Sequence, residues 1–477
     1  MKKNENVIEL EVESIGFEGI SIAKKDGKVY FVKGGLPGDV VIANTHKKLK
    51  GYIEASIKKI MTPSPHRIVP ICDYYGACGG CSWQCLDYEQ QLHWKRQHII
   101  DAHNRLGKVN ANCYHNTIPA KQKWHYRNKM DFSFSAARWL TKNEIEKDEA
   151  HNKNFALGLH IPGKFDKVLD IKDCKIQETE WNNILNAIRA KAIELDIQPI
   201  RLSKTGGGFL KGLTLRKVNG SLTEFAENMN ETMCILITSD LTNDNEKKFI
   251  DWYKNKLQKI SPKLVSVVWA INNKNGVNVG EIQFIEGKEY LTERILGIDY
   301  QISPFSFFQT NSYQLDTFIG LIIDVAGIKD SDLVWDLYCG TGSITLPVAK
   351  KCKKVYGIEL NPQAIEDAKK NATLNDISNI ELYSSDLHSP QIPDLLNTLP
   401  MPDILILDPP RSGLHPNLIK HILNIAPKKI IYVSCNPATQ ARDLTELTTL
   451  YNLLNVHPID MFPHTYHIEN IAELVMK

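Results

Sequence analysis

The sequence predicts an α/β chain in three parts: a small N-terminal β-barrel, a mixed α/β middle and a C-terminal Rossmann-like domain. Three observations carry this. Ile8, Leu10 and Val12 alternate with Glu9, Glu11 and Glu13 at the start of the chain, the period-two pattern of a half-buried strand. From about residue 304 onward, apolar strand-like runs alternate with helical stretches, as in a doubly wound parallel sheet. Within that region Asp336-Leu337-Tyr338-Cys339-Gly340-Thr341-Gly342 places a glycine turn between the apolar runs Leu333 to Trp335 and Ile344 to Ala349. A chain of 477 residues is too long for one core and should hold about three domains.

Residues 1–62 form the first of these. The runs Val29 to Val32 and Val40 to Ile42 come after the alternating segment, separated by Gly27, Gly34-Gly35 and Pro37-Gly38, so short strands and tight turns are expected. Lys47, Lys48, Lys50, Lys58 and Lys59 cluster here, and Lys121, Lys123, Arg127 and Lys129 surround Trp124, His125 and Tyr126. Basic residues interleaved with aromatics suit RNA, whose phosphates need neutralising and whose unstacked bases find rings. The net charge of +2 excludes a globally basic protein. After Met1-Lys2-Lys3-Asn4-Glu5 comes no apolar signal core, and no run approaches the ~18 apolar residues of a membrane span. A cytoplasmic protein without a membrane partner is expected.

Residues 63–300 open on a cysteine cluster. Cys72, Cys78 and Cys81 lie close together, with Gly79-Gly80 between the last two. Cys85 and Cys174 are both candidates for a fourth ligand, and four thiolates suit either tetrahedral zinc or a [4Fe–4S] cluster. The ten cysteines of a cytosolic protein point to metal binding, catalysis or burial, not to disulfides. Cys339 and Cys352 have no evident partner and are expected to pack.

Residues 301–477 carry the chemistry. Glycines after a strand let the backbone approach a nucleotide-like ligand, and Glu359 ends a second apolar run about twenty residues on, where a carboxylate can accept ribose hydroxyls. Gly340 and Gly342 are followed by Ser343, Ile344 and Thr345. The dinucleotide fingerprint is therefore absent, which favours S-adenosyl-L-methionine over NAD. Two further motifs, Asp408-Pro409-Pro410-Arg411 and Ser434-Cys435-Asn436-Pro437, put a thiol beside that site. A thiol next to a methyl donor points to covalent catalysis on a poor carbon nucleophile, and the three motifs together read as a methyltransferase.

With Ser303-Pro304, Phe307 to Asn311 and His467-Ile468-Glu469 added, the chain resembles the RNA 5-methyluridine methyltransferases. The resemblance is to the branch that acts on 23S ribosomal RNA and carries an N-terminal TRAM domain and an iron–sulfur cluster. It implies a [4Fe–4S] cluster held by Cys72, Cys78, Cys81 and Cys174, cofactor contacts from Gln309, Tyr338, Glu359 and Asp408, Cys435 as nucleophile and Glu469 as base. Ser343 and Asp386 fall where some relatives have polar cofactor contacts, and both stay outside that set. RNA is the expected partner, ribosomal before transfer RNA, and a monomer is expected.

Uracil C5 is weakly nucleophilic. Addition of the Cys435 thiolate to C6 would make C5 enolate-like, and cysteine suits this because a useful thiolate fraction is expected near neutral pH. Glu469 would then take the C5 proton, and the uridine would have to leave its stack to be reached. Phe307 is a candidate to line the path. Arg411 is placed to meet phosphate or developing uracil charge, or to form a structural salt bridge. A 5-methylcytidine enzyme would need a second cysteine near the Asp408 turn, which has none. An inactive iron–sulfur RNA-binding protein is the reading from another class, and the set Gln309, Glu359, Asp408, Cys435 and Glu469 argues against it.

Overall fold

A computed structural model describes residues 7–146, 152–201, 207–219, 230–274 and 279–477; Met1 to Glu5 lie outside the described residues. The strands Val7–Ile15, Ser21–Lys25, Lys28–Lys33, Val40–Leu49 and Tyr52–Thr62 close into a barrel. Its interior is set by the alternation seen in the sequence. Leu10, Val12, Ala23, Tyr30, Val32, Val41, Ala43 and Ala55 are buried, while Glu9, Glu11 and Glu13 face out, as a period of two requires. Buried Asp39 ties the barrel to the segment after its last strand, accepting from the Ser64 amide at 2.8 Å and pairing with Arg67.

Two eight-stranded sheets and the two-stranded ribbon Leu291–Ile295 with Ile298–Ile302 make up the rest. The first has Leu210–Val218 near its middle, flanked by Lys129–Ser135 and Glu231–Thr238, and all nine residues of that strand are buried. The helices Thr179–Glu194 and Asp244–Lys256 cover it, the first burying Trp181, Ile184, Leu185 and Ile188.

The second sheet runs in the order Ile380–Ser384, Lys354–Glu359, Leu333–Leu337, Ile404–Leu407, Lys429–Ser434, Glu469–Met476, Tyr451–Ile459. The first five strands are parallel, and their continuous apolar runs, such as Ile404 to Leu407, match burial on both faces. Glu469–Met476 runs antiparallel to both its neighbours. The Rossmann-like expectation is borne out.

The stretch 63–300 also contributes to this second sheet. Helix Tyr88–Ala102, capped by the Asp87 side chain on the Gln90 amide at 2.9 Å, packs beside helix Pro437–Leu447. Strand Cys113–Tyr114 then pairs with Asn455 and Val456 to extend the sheet. One apolar core joins the two sheets, with Met233, Ile235 and Ile237 on one side and Ile404, Ile406 and Ile431 on the other. Among the described residues no helix is long and apolar enough to cross a membrane.

Candidate active site

The carboxyl ends of the parallel strands converge on one cavity of about 720 Å³, the place where open α/β sheets hold ligands. After Leu337 the chain turns at once. Tyr338 adopts φ +73° and donates its amide to the Ile358 carbonyl at 2.9 Å. Gly340 has φ +55°, and a Cβ there would meet no atom within 4 Å, so this part of the turn presents open backbone to a ligand. Glu359 ends the next strand, accepting from the Gly340 amide at 3.2 Å and the Asn361 amide at 2.8 Å. Asp408 follows Leu407, its amide 3.4 Å from the Leu337 carbonyl.

Antiparallel register explains how two distant residues meet. Ser434 is paired with Asn470; one position beyond that pair, Cys435 follows the end of its strand and Glu469 begins its own, opposite Ile459, and both line the cavity wall. Asn436, just past the thiol, caps helix Pro437–Leu447 by accepting from the Ala438 amide at 3.1 Å and donates to the Arg411 carbonyl at 3.0 Å. The Asp-Pro-Pro-Arg loop is thereby tied to the cysteine turn.

Gln309, Tyr338, Glu359, Asp408, Cys435 and Glu469 all line this one cavity. Phe307, more than half exposed, lies at it as well, and so do Ser343 and Asp386. Arg127, His388 and His467 line it without having been singled out for it in the sequence. Asp386 and His388 come just after the end of strand Ile380–Ser384, so the strand-end rule would have found both. Arg127 and His467 carry no such signal. The aromatics beside Arg127 are packed instead: Tyr126 is fully buried and Trp124 stacks on His464 at 3.7 Å.

Two of the acids in the cavity, Glu469 and Asp408, are shifted toward their protonated forms. Burial pushes the Glu469 carboxyl well above its usual range, with nearby Asp408 adding to the effect and Arg411 opposing it. Asp408 keeps some open surface toward the cavity, yet protein on its other sides and the neighbouring Asp336 push it up to about 7. Burial, then Glu469 and Asp408, raise the Cys435 thiol to about 11, against the pull of Arg411. The useful thiolate fraction expected from cysteine alone is thus corrected, because burial is the main cause that holds the proton on sulfur, with Glu469 and Asp408 adding to it. Arg411 makes no salt bridge among the described residues. Its guanidinium donates to His467 Nδ1 at 3.4 Å and favours the Cys435 thiolate.

A family model described as tRNA (Uracil-5-)-methyltransferase matches residues 229–476, more than half of the chain. The chain belongs to the RNA (uracil-5-)-methyltransferase family. An uncharacterized RNA methyltransferase of Bacteroides thetaiotaomicron is 40% identical over 465 residues, covering 96% of this chain and 99% of that protein. One from Chlorobaculum tepidum is 38% identical over 458 residues, 94% of this chain and 91% of its own length. Among solved structures, the Pyrococcus abyssi tRNA (uracil-54, C5)-methyltransferase in complex with S-adenosyl-L-homocysteine superimposes with a TM-score of 0.72 at 26% identity. The match covers 98% of this chain and 100% of that one.

A second cavity of the methyltransferase, about 20 Å³, is lined by Cys72, Cys78, Cys81 and Cys174 together with apolar groups such as Leu159 and Ile171. The first three share a tight turn in which the Cys78 amide donates to the Tyr74 carbonyl at 2.9 Å and the Gly80 amide points at Cys78 Sγ, 3.3 Å away. Cys174 arrives from beyond strand Lys164–Asp170, its amide held by Asn182 at 3.0 Å. Burial is the main cause that raises the Cys78 and Cys81 thiols, to about 11 and about 12. Cys85 lies elsewhere, against Tyr75 Oη at 2.9 Å in a packed cluster with Trp83 and Leu86. Among the described residues no group of three or more His, Cys, Asp or Glu is gathered as around a metal ion. Cys339 and Cys352 are buried.

Proposed function

We propose that this enzyme methylates C5 of a uridine in 23S ribosomal RNA through a covalent bond between Cys435 and uracil C6, using S-adenosyl-L-methionine. The observation that carries the proposal is the pairing of Ser434 with Asn470, which brings a thiol and a carboxyl into one cavity with Asp408 and Arg411.

The open backbone at Gly340 and the carboxylate of Glu359 fit a nucleoside, with Gln309, Tyr338 and Asp408 as its other contacts. S-adenosyl-L-methionine supplies an electrophilic methyl group and a sulfonium cation. Cys435 Sγ releases its proton to solvent and bonds to C6, and the electron pair displaced from the C5–C6 bond is taken up toward O4. Arg411 favours the thiolate that starts this step. C5 would then take the methyl group as S-adenosyl-L-homocysteine leaves, after which Glu469 removes the C5 proton, the C5–C6 double bond returns and the S–C6 bond breaks to restore the Cys435 thiolate. The balance is one methyl gained and one proton lost by uridine.

The boundaries 1–62, 63–300 and 301–477 remain our division into a TRAM-like barrel, a central domain with the cysteines and a catalytic domain. Exposed Lys47, Lys48, Lys50, Lys58 and Lys59 and a stacked Phe31–Tyr52 pair with centroids 4.2 Å apart support the barrel as an RNA contact. For the four-cysteine cavity we favour a [4Fe–4S] cluster. Each thiolate around such a cube meets its own iron, so the set need not converge on one point. Anaerobically purified protein is expected to be brown with about four irons per chain, to lose iron in Cys174→Ser and to keep it in Cys85→Ser. Stoichiometric zinc without iron, or the reverse response of the two variants, would overturn this assignment.

The ribosomal substrate rests on the combination of barrel and cysteine cavity. A transfer RNA substrate is the second reading, favoured by the likeness to the archaeal tRNA enzyme along its whole length. Mapping 5-methyluridine in both RNA classes, from cells with and without the gene, decides between them. A site in 23S RNA that vanishes with the gene supports the first reading, and loss confined to tRNA sinks it.

A further inference from the structure

Residues 460–468 join strand Tyr451–Ile459 to strand Glu469–Met476 and deliver Glu469 to the active-site cavity. This loop is gripped from far away in sequence. Lys95 Nζ lies 2.5 Å from Asp460 Oδ1 and donates to the Phe462 carbonyl at 3.0 Å, and Tyr88 Oη donates to Asp460 Oδ2 at 2.9 Å. Both members of the Lys95–Asp460 pair have fully buried side chains. Tyr126 Oη donates to the Pro463 carbonyl at 3.1 Å. His464, at φ +65°, gives its amide to Gln91 Oε1 at 2.8 Å. Its carbonyl accepts from the amides of Ser82 and Trp83, each at 2.9 Å.

A buried ion pair adds little net stability over apolar residues of the same size, and a non-glycine residue at positive φ persists only where its surroundings impose it. Stability is therefore a weak reason for this arrangement; a fixed geometry is a strong one. Proton removal from carbon demands a carboxyl held over C5, and a misplacement of about 1 Å can cost on the order of a hundredfold in rate.

We infer that Gln91, Lys95 and Asp460 are positioning residues that hold the loop so that Glu469 reaches the C5 proton. The inference rests on Glu469 being the base. Through Ser82, which directly follows Cys81, the grip also joins the cysteine turn to the catalytic carboxyl.

The test uses Gln91→Leu and the paired change Lys95→Met with Asp460→Leu, which removes both buried charges together and so leaves neither stranded. Each full-length variant is given an RNA fragment containing the mapped uridine, with hydrogen or deuterium at C5, and a single turnover is monitored. Cofactor binding, RNA binding and methyl transfer should stay within a few-fold of the parent, while breakdown of the methylated adduct slows about tenfold or more. The deuterium isotope effect on that breakdown should grow, a change that a purely structural role would not produce. Adduct decay at the parent rate in both variants, while Glu469→Gln stalls, would overturn the inference alone. Proportional loss of binding and methyl transfer, with no change in isotope effect, would also overturn it. Full turnover by Glu469→Gln would remove the base reading and this inference together.

Discussion

Cys435→Ala is expected to lose methyl transfer by at least about 10⁴-fold, because no later step can begin without the bond to C6. The same change should abolish the denaturation-resistant adduct that the parent forms with RNA carrying 5-fluorouridine at the target. Fluorine at C5 cannot leave as a proton, so the parent is stranded after methyl transfer with Cys435 attached. Persistence of that adduct in Cys435→Ala would mean that another nucleophile is at work. The raised thiol also sets a pH dependence. With Cys435 pushed up to about 11, about one part in 10⁴ is thiolate at neutral pH, and that fraction rises with pH until the thiol titrates. Adduct formation should therefore accelerate from pH 6 to pH 9. Arg411→Met removes the cation that opposes this shift and should move the curve to higher pH.

Glu469→Gln separates the two halves of the reaction. Neither cofactor binding nor addition to C6 requires proton removal from C5, so the variant should still attach to ordinary RNA and methylate it. Elimination should then stall, leaving methylated RNA covalently bound and decaying far more slowly than in the parent. Only the ionised carboxyl can act as a base, and the group is raised well above its usual range by burial and Asp408. Adduct breakdown in the parent should therefore quicken as pH rises, and this dependence should be missing in Glu469→Gln. Loss of cofactor binding in the variant would make the role of Glu469 structural.

Residues at the carboxyl ends of parallel strands were readable because the strand runs and the motifs after them are contiguous. Tyr338, Glu359, Asp408 and Cys435 each sit within two residues of a strand end. Glu469 is a different case. Its neighbourhood depends on an antiparallel strand whose register no local pattern reveals, and only resemblance to a family singled it out. The height of the Cys435 thiol was hidden for the same reason, since it depends first on burial and then on carboxyls, both brought in by tertiary structure. Arg127 was seen only as one member of a basic patch. That a guanidinium from the middle of the chain lines the cavity depends on how the two sheets share a core, which composition does not encode.

The short strand Cys113–Tyr114 and helix Tyr88–Ala102 bind a layer whose own strands end at Met476. During synthesis that helix emerges long before its partners Asp460 and His464, which lie more than 360 residues further along the chain. The barrel can close as soon as its five strands are out. The cysteine turn and its helix must wait for residues 460–464, with Lys95 in water until Asp460 arrives. Synthesis of residues 460–476 is thus the event that docks this helix, and a nascent chain halted short of residue 460 would lack the loop and the Glu469 strand that wall the cavity.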